Sequence, residues 1–166
     1  MAAVSVASVE IRREHAAEAA RIRALLRTAF PSAYESQIVD RLREDGEGVV
    51  SLVAVEAGDV VGHVMLSRMS APFAAVGLGP LAVCPERRKL GIAGRLVRRA
   101  IDEARREGWH GMFVLGDPAF YGRFGFSVEL AAGFGSDYAG PYLMVLPLGA
   151  AGLPSSTGRI DYADAF

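Results

Sequence analysis

The sequence has few of the residues that build stapled or metal-held folds: its 166 residues include one cysteine, one tryptophan and three histidines. One thiol excludes an intramolecular disulfide. Three scattered histidines beside it offer no zinc-type ligand cluster, so no metal is expected. No apolar run approaches the ~18 residues of a spanning helix, and the opening stretch lacks a basic segment ahead of a long apolar one. The expectation is a soluble, cytoplasmic protein with no membrane partner. An excess of charge of one sign is also missing, since 18 basic and 19 acidic side chains leave −1. With 51% hydrophobic and 22% charged residues, the composition is globular rather than disordered. The length suits one domain with a real core.

The charge that is present is unevenly placed. Arg87, Arg88, Lys89, Arg95, Arg98 and Arg99 stand in a stretch without acids, so residues 87–99 carry +6 and the remainder −7. Such a run is either a solvated helix face or an anion site. Its beginning favours the second reading. A buried strand, Leu81-Ala-Val-Cys84, leads through Pro85 into Gly91-Ile-Ala-Gly94 and then a helix. A turn of this kind presents free amides and the positive end of the helix dipole. Gly91, Ala93 and Gly94 let a phosphate approach the backbone. The nucleotide-triphosphate loop G-x-x-x-x-G-K-[ST] is absent. Gly77-Leu-Gly-Pro-Leu-Ala82 matches G-x-G-x-x-A but precedes a strand, which makes it a decoy. The basic run lacks aromatic interleaving, so no nucleic-acid partner is expected.

Hydrophobic spacing organises the rest. Val9–Arg13 alternates as a short strand. Residues 16–29 place Ile22, Leu25, Leu26 and Ala29 on one helical face. Pro31 interrupts, and Ser32-Ala-Tyr-Glu35 has the form of a capping box opening a second helix to about Arg43. Residues 49–56 and 60–67 form a hairpin around Ala57-Gly-Asp59. Residues 71–75 form a loop, and 78–84 a short apolar strand. Residues 91–107 give the clearest helix, stopped by Gly108. Residues 112–115 form a strand, and Asp117-Pro118 opens a short helix ended by Gly125. Phe126 onward and 142–146 complete the strands. The order βααβββαβαββ predicts a single-domain α/β sandwich, with a mixed, mostly antiparallel sheet of about six or seven strands and about four helices. Residues 149–166 read as a tail, partly docked through Ile160, Tyr162 and Phe166.

Arg88-Lys-Leu-Gly91-Ile-Ala93 resembles the [QR]-x-x-G-x-[GA] signature of GCN5-related N-acetyltransferases. The preceding strand and following helix stand where that family has them. Asp117-Pro-Ala-Phe-Tyr121-Gly-Arg-Phe-Gly-Phe126 is similar to the family segment ending in Tyr-x-x-x-Gly-Phe. The likeness runs from about Val9 to Leu146, within a domain taken as 1–148, and Leu78–Val83 with Leu115–Tyr121 looks like a bacterial subgroup.

The resemblance implies acetyl-coenzyme A as cosubstrate, lying where two sheet strands splay apart. Leu81, Ala82 and Val83 would face its pantetheine arm through their main chain. The amides of Lys89, Leu90, Gly91, Ile92, Ala93 and Gly94 would hold the pyrophosphate, with Arg88 and Lys89 adding charge. Asp117 and Tyr121 would also be among the coenzyme-binding residues. The activity implied is direct acetyl transfer to the primary amine of a small molecule or peptide, or else non-catalytic acyl-coenzyme A binding on the same fold. Tyr121 would be the general acid, against a purely packed aromatic. The strand before the signature has no carboxylate. Glu35 is therefore a candidate base, with its capping role as the competing reading. His63 and Cys84 read as structural. The expected assembly is a monomer or homodimer.

Overall fold

The computed structural model describes residues 8–166. Its elements are β1 (Glu10–Arg13), α1 (Ala19–Ala29), α2 (Tyr34–Glu44), β2 (Gly48–Glu56), β3 (Asp59–Met69), β4 (Ala75–Val83), α3 (Ile92–Arg106) and β5 (Gly111–Leu115). There follow the single turns α4 (Pro118–Tyr121) and α5 (Val128–Ala131), then β6 (Phe134–Gly135), β7 (Leu143–Pro147) and β8 (Gly158–Arg159). The main sheet has the order β1-β2-β3-β4-β5-β7, and β6 pairs β8 separately. β1–β2 and β5–β7 are antiparallel, while β4–β5 is parallel. This is the mixed α/β sandwich that the sequence predicts. Among the described residues no helix is long and apolar enough to cross a membrane.

The fold has two compact units: residues up to Met65 with Pro80–Ala100, and Leu66–Gly79 with Ile101–Phe166. In the first, Ile22, Leu25 and Leu26 of α1 and Ile38, Val39 and Leu42 of α2 are buried, as their spacing requires. Ala57 and Gly58 both take positive φ, +51° and +85°, the conformation of a hairpin turn whose twist matches its strands. Gly62 lets α3 settle on the sheet: a Cβ there would lie 3.0 Å from Leu96 and 3.3 Å from Ile92. A turn at Ala16–Glu18 precedes α1. Glu18 accepts from the His15 amide at 2.6 Å and from Arg12 at 2.8 and 2.9 Å. The Arg12 hydrogen bonds outweigh burial and hold the Glu18 carboxyl down at about 2. Arg12 also donates to the Arg13 carbonyl at 3.0 Å.

In the second unit, Phe113 stacks on Phe73 at 6.3 Å and meets Phe134 edge-on at 5.5 Å. Met69, Ala131, Leu143, Val145 and Ile160 close that core. The final segment is tied in by the Ser70–Asp161 bridge, with amide-to-carbonyl bonds of 3.0 and 2.9 Å. The backbone passes so close at Gly133 that a Cβ there would sit 2.2 Å from the Ser156 carbonyl oxygen.

Three expectations are corrected. β4 begins at Ala75, not 78, because residues 75–78 pair with β5 from Gly111 to Val114. Phe126 does not open a strand: Ser127 accepts from the Leu130 amide at 3.1 Å and starts α5 instead. The Ser32–Glu35 capping box does not form. Ala33 is the N-cap of α2, and Ser32 accepts from the Tyr34 amide at 3.2 Å, one residue short of the box.

Candidate functional site

The β4–β5 ladder ends at Leu78↔Val114. Gly79 follows with φ +143°, a value only glycine adopts easily. Pro80 then removes one amide donor, and β4 continues through half-buried Leu81 and buried Ala82 and Val83. The Cys84 amide donates to Val61 at 2.8 Å, and a turn at Pro85–Arg87 leads the chain away from the sheet. Arg87 is bound on both sides of the Glu56 carboxylate at 3.0 and 3.1 Å. Arg88 donates to the carbonyls of Val83 and Ala29, each at 3.2 Å. Its guanidinium thus fastens the end of β4 to the last turn of α1.

Lys89 and Gly91 sit in left-handed backbone, φ +64° and +83°, and residues 88–91 are exposed. The first amide to bond back along α3 is that of Arg95, to Gly91 at 3.2 Å. The amides just before it have no acceptor within the helix. Gly91, Ala93 and Gly94 put no large side chain over them. The loop therefore presents backbone donors at the positive end of a 15-residue helix. Further along, Arg95 donates to Val9 at 2.7 Å and Arg99 to Ile11 at 3.3 Å, so much of the basic run is engaged by the chain rather than merely solvated.

In the second unit, Asp117 caps α4, its Oδ1 accepting from Ala119 at 2.9 Å, with Pro118 as first residue. This seats Tyr121, buried and edge-on to Phe120 at 4.8 Å and to Phe126 at 5.7 Å. Burial pushes its phenol up to about 12. A Cβ at Gly116 would fall 2.3 Å from the Tyr121 ring. Gly116 is a residue that sequence reasoning missed, and its signal was a glycine between a strand end and an N-cap.

Glu35 lies in the first turn of α2, half-buried, with Oε2 shielded and without a hydrogen-bond partner. His63 is fully buried, with Nε2 2.8 Å from Ser51 Oγ. Burial, reinforced by Arg43, takes its imidazole down to about 3, so it stays neutral. Burial raises the Cys84 thiol, with Glu86 adding to the effect, which leaves a poor nucleophile. The structure gathers 81–83 with 88–94 in the first unit, pairs Asp117 with Tyr121 in the second, and places Glu35 on α2.

The sequence model of the acetyltransferase (GNAT) family matches residues 19–126. The chain belongs to the GNAT acetyltransferase family. It is 42% identical over 126 residues to an uncharacterised N-acetyltransferase of Escherichia coli, YhbS, covering 74% of each chain. It is 37% identical over 133 residues to YjhQ of the same organism, covering 75% of this chain and 71% of YjhQ. The crystal structure of YhbS in complex with CoA superposes with a TM-score of 0.89 at 34% identity, covering 95% of this chain and 91% of that one. A GNAT acetyltransferase from Brucella melitensis in complex with acetyl-CoA gives 0.80 at 33% identity, covering 95% and 97%. The family signature covers the Arg88–Ala93 turn, and the GNAT fold accounts for the strand order.

Proposed function

We propose that this GNAT protein carries an acetyl group directly from acetyl-coenzyme A to a primary amine, working in the bacterial cytoplasm. The transferase domain is taken as 1–148, with 149–166 as its docked tail. The observation that carries the reading is the turn leading into α3, exposed from Arg88 to Gly91 and followed by the small residues Ala93 and Gly94 in the first helical turn, in a family whose relatives hold CoA and acetyl-CoA. Its backbone donors suit a pyrophosphate, and Lys89 supplies mobile charge. Arg88 serves by holding the turn against Val83 and Ala29. The end of the β4–β5 ladder leaves main chain for a pantetheine arm through Leu81, Ala82 and Val83, and an amide there would donate to the oxyanion.

The acceptor nitrogen attacks the thioester carbon, an N–C bond forms, the C–S bond breaks, and the amine proton must leave. Glu35, with its free oxygen, takes that proton, directly or through water. Tyr121 is assigned the departing sulfur. A phenol at about 12 is a weaker acid than a thiol near ~8.5, so Tyr121 works by donating a hydrogen bond to the developing thiolate rather than by surrendering its proton outright. Asp117 is a positioning residue, acting through α4. Coenzyme thiol release across an amine panel tests the reading. Turnover should fall by roughly a hundredfold or more in Tyr121→Phe with coenzyme affinity kept. Coenzyme binding without turnover on any amine would instead mark an acyl-coenzyme A binding module.

A further inference from the structure

The turn ahead of α3 is fastened by contacts from elsewhere in the first unit. Glu56, the last residue of β2, accepts from both Nε and Nη2 of Arg87, at 3.0 and 3.1 Å. The carboxylate side chain is 14% exposed and the guanidinium side chain 27%, so water competes little for the pair. The Arg87 amide donates to the Cys84 carbonyl at 2.9 Å and closes the Pro85–Arg87 turn. Two residues later Lys89 takes φ +64°, and Gly91 follows at +83°. Left-handed backbone on a residue with a side chain persists only where its surroundings hold it. Arg88 helps by bonding the neutral carbonyls of Val83 and Ala29. Arg87 instead bonds a carboxylate at two points, which is the stronger and more directional tie.

We propose that Glu56 is a positioning residue for the coenzyme, acting through Arg87 to hold the strained Lys89–Gly91 turn in the conformation that offers its amides to the pyrophosphate. This rests on the transfer reading above and extends the coenzyme site to the end of β2. Arg87 is not a phosphate ligand in this role: Nε and Nη2 are committed to Glu56, and Nη1 leans on the Glu86 carbonyl at 3.4 Å. Glu56 affects coenzyme binding in two ways of opposite sign. Its charge, one side chain away from the turn, repels a ligand with several phosphate charges, so removing that charge tightens binding by field alone. Removing the tie lets the turn leave its binding conformation, and apparent affinity falls with the fraction that stays competent. The positioning role requires the second effect to prevail.

Glu56→Gln keeps the shape and removes the charge. Its Kd for coenzyme A is measured by calorimetric titration, and its kcat and KM for acetyl-coenzyme A by thiol release with an amine that the wild type acetylates. Kd and KM should rise by roughly three- to tenfold with kcat within about twofold, because saturating coenzyme restores the bound turn. Arg87→Gln should behave alike, and the double variant should bind no more weakly than the weaker single, since both act through one contact. If Glu56→Gln does not fold, Arg87→Gln and Arg87→Lys carry the test, with Lys, which keeps the charge but not the fork, also raising Kd. A lowered thermal midpoint with Kd unchanged would mark a merely structural pair and overturn the role. Tightened binding in Glu56→Gln, or additive weakening in the double variant, would overturn it too, while wild-type turnover leaves the transferase reading standing. Wild-type protein that binds no coenzyme A would overturn that reading, and the role with it.

Discussion

Replacing His63 by Gln should flatten the acid side of the stability profile. The imidazole is wholly enclosed and held at about 3 when folded, against 6.5 in its unperturbed state. Below pH 6.5 the unfolded chain binds a proton that the folded chain refuses until about pH 3. The contribution is therefore intact above 6.5 and is lost as pH falls toward 3, at about 1.4 kcal/mol per pH unit. Between about pH 8 and pH 5 this amounts to ~2 kcal/mol. Glu18 does not contaminate that window, because its folded value of about 2 lies below the ordinary 4.5, so its contribution falls away only in more acid solution. Gln cannot titrate and retains a group able to reach Ser51. Urea unfolding of both proteins at about pH 8, 6.5 and 5 gives the difference directly, with other titrations cancelling. Equal losses in wild type and His63→Gln would refute the reasoning, since the buried imidazole would then not be the group resisting the proton.

Gly116→Ala should displace the Tyr121 ring, since the new methyl would fall 2.3 Å from it. Turnover should drop by roughly tenfold or more while far-ultraviolet dichroism stays native, and unchanged kcat would count against the placement of Tyr121. Gly91→Ala must force φ +83° on a residue with a side chain. It should cost about 1 kcal/mol of stability and weaken coenzyme binding measured by titration. Gly133→Ala would press a methyl to 2.2 Å from the Ser156 carbonyl. It should destabilise the protein by about 1–3 kcal/mol, read as a lowered thermal midpoint, and a midpoint equal to wild type would show that the tail yields freely.

Much of the fold was legible because local chemistry and burial agree. The stripe Ile92, Leu96, Ala100 and Ala104, the Asp117-Pro118 opening and the Gly125 stop (φ +98°) all lie where their sequence pattern put them. The turn ahead of α3 was legible from its small residues, with Gly91 in left-handed backbone and the helix opening at Ile92. The capping box failed for a local reason: the S-x-x-E spacing was present, but α2 starts at Tyr34, which removes Glu35 from the box and leaves an oxygen unpaired. Phe126 misled because an apolar residue after a glycine reads equally as strand or core, and the Ser127 cap decided the matter. The ring cluster of Tyr138, Tyr162 and Phe166 was the least legible part, because the three are separated along the chain and are joined through long-range pairings such as the Ser70–Asp161 bridge and β6–β8.

The arginines of α3 and β1 have a consequence for how copies of the chain meet. β1 is the border strand of the sheet, and the Glu14 amide turned toward Ser51 shows that even-numbered residues face β2. The carbonyls of Val9, Ile11 and Arg13 therefore face outward, and Arg95, Arg99 and Arg12 respectively donate to them. A foreign strand approaching that edge meets carbonyl acceptors already taken by arginine side chains. The stretch of basic sequence that leads into α3 thus also occupies, further along the helix, the outward carbonyls of the border strand.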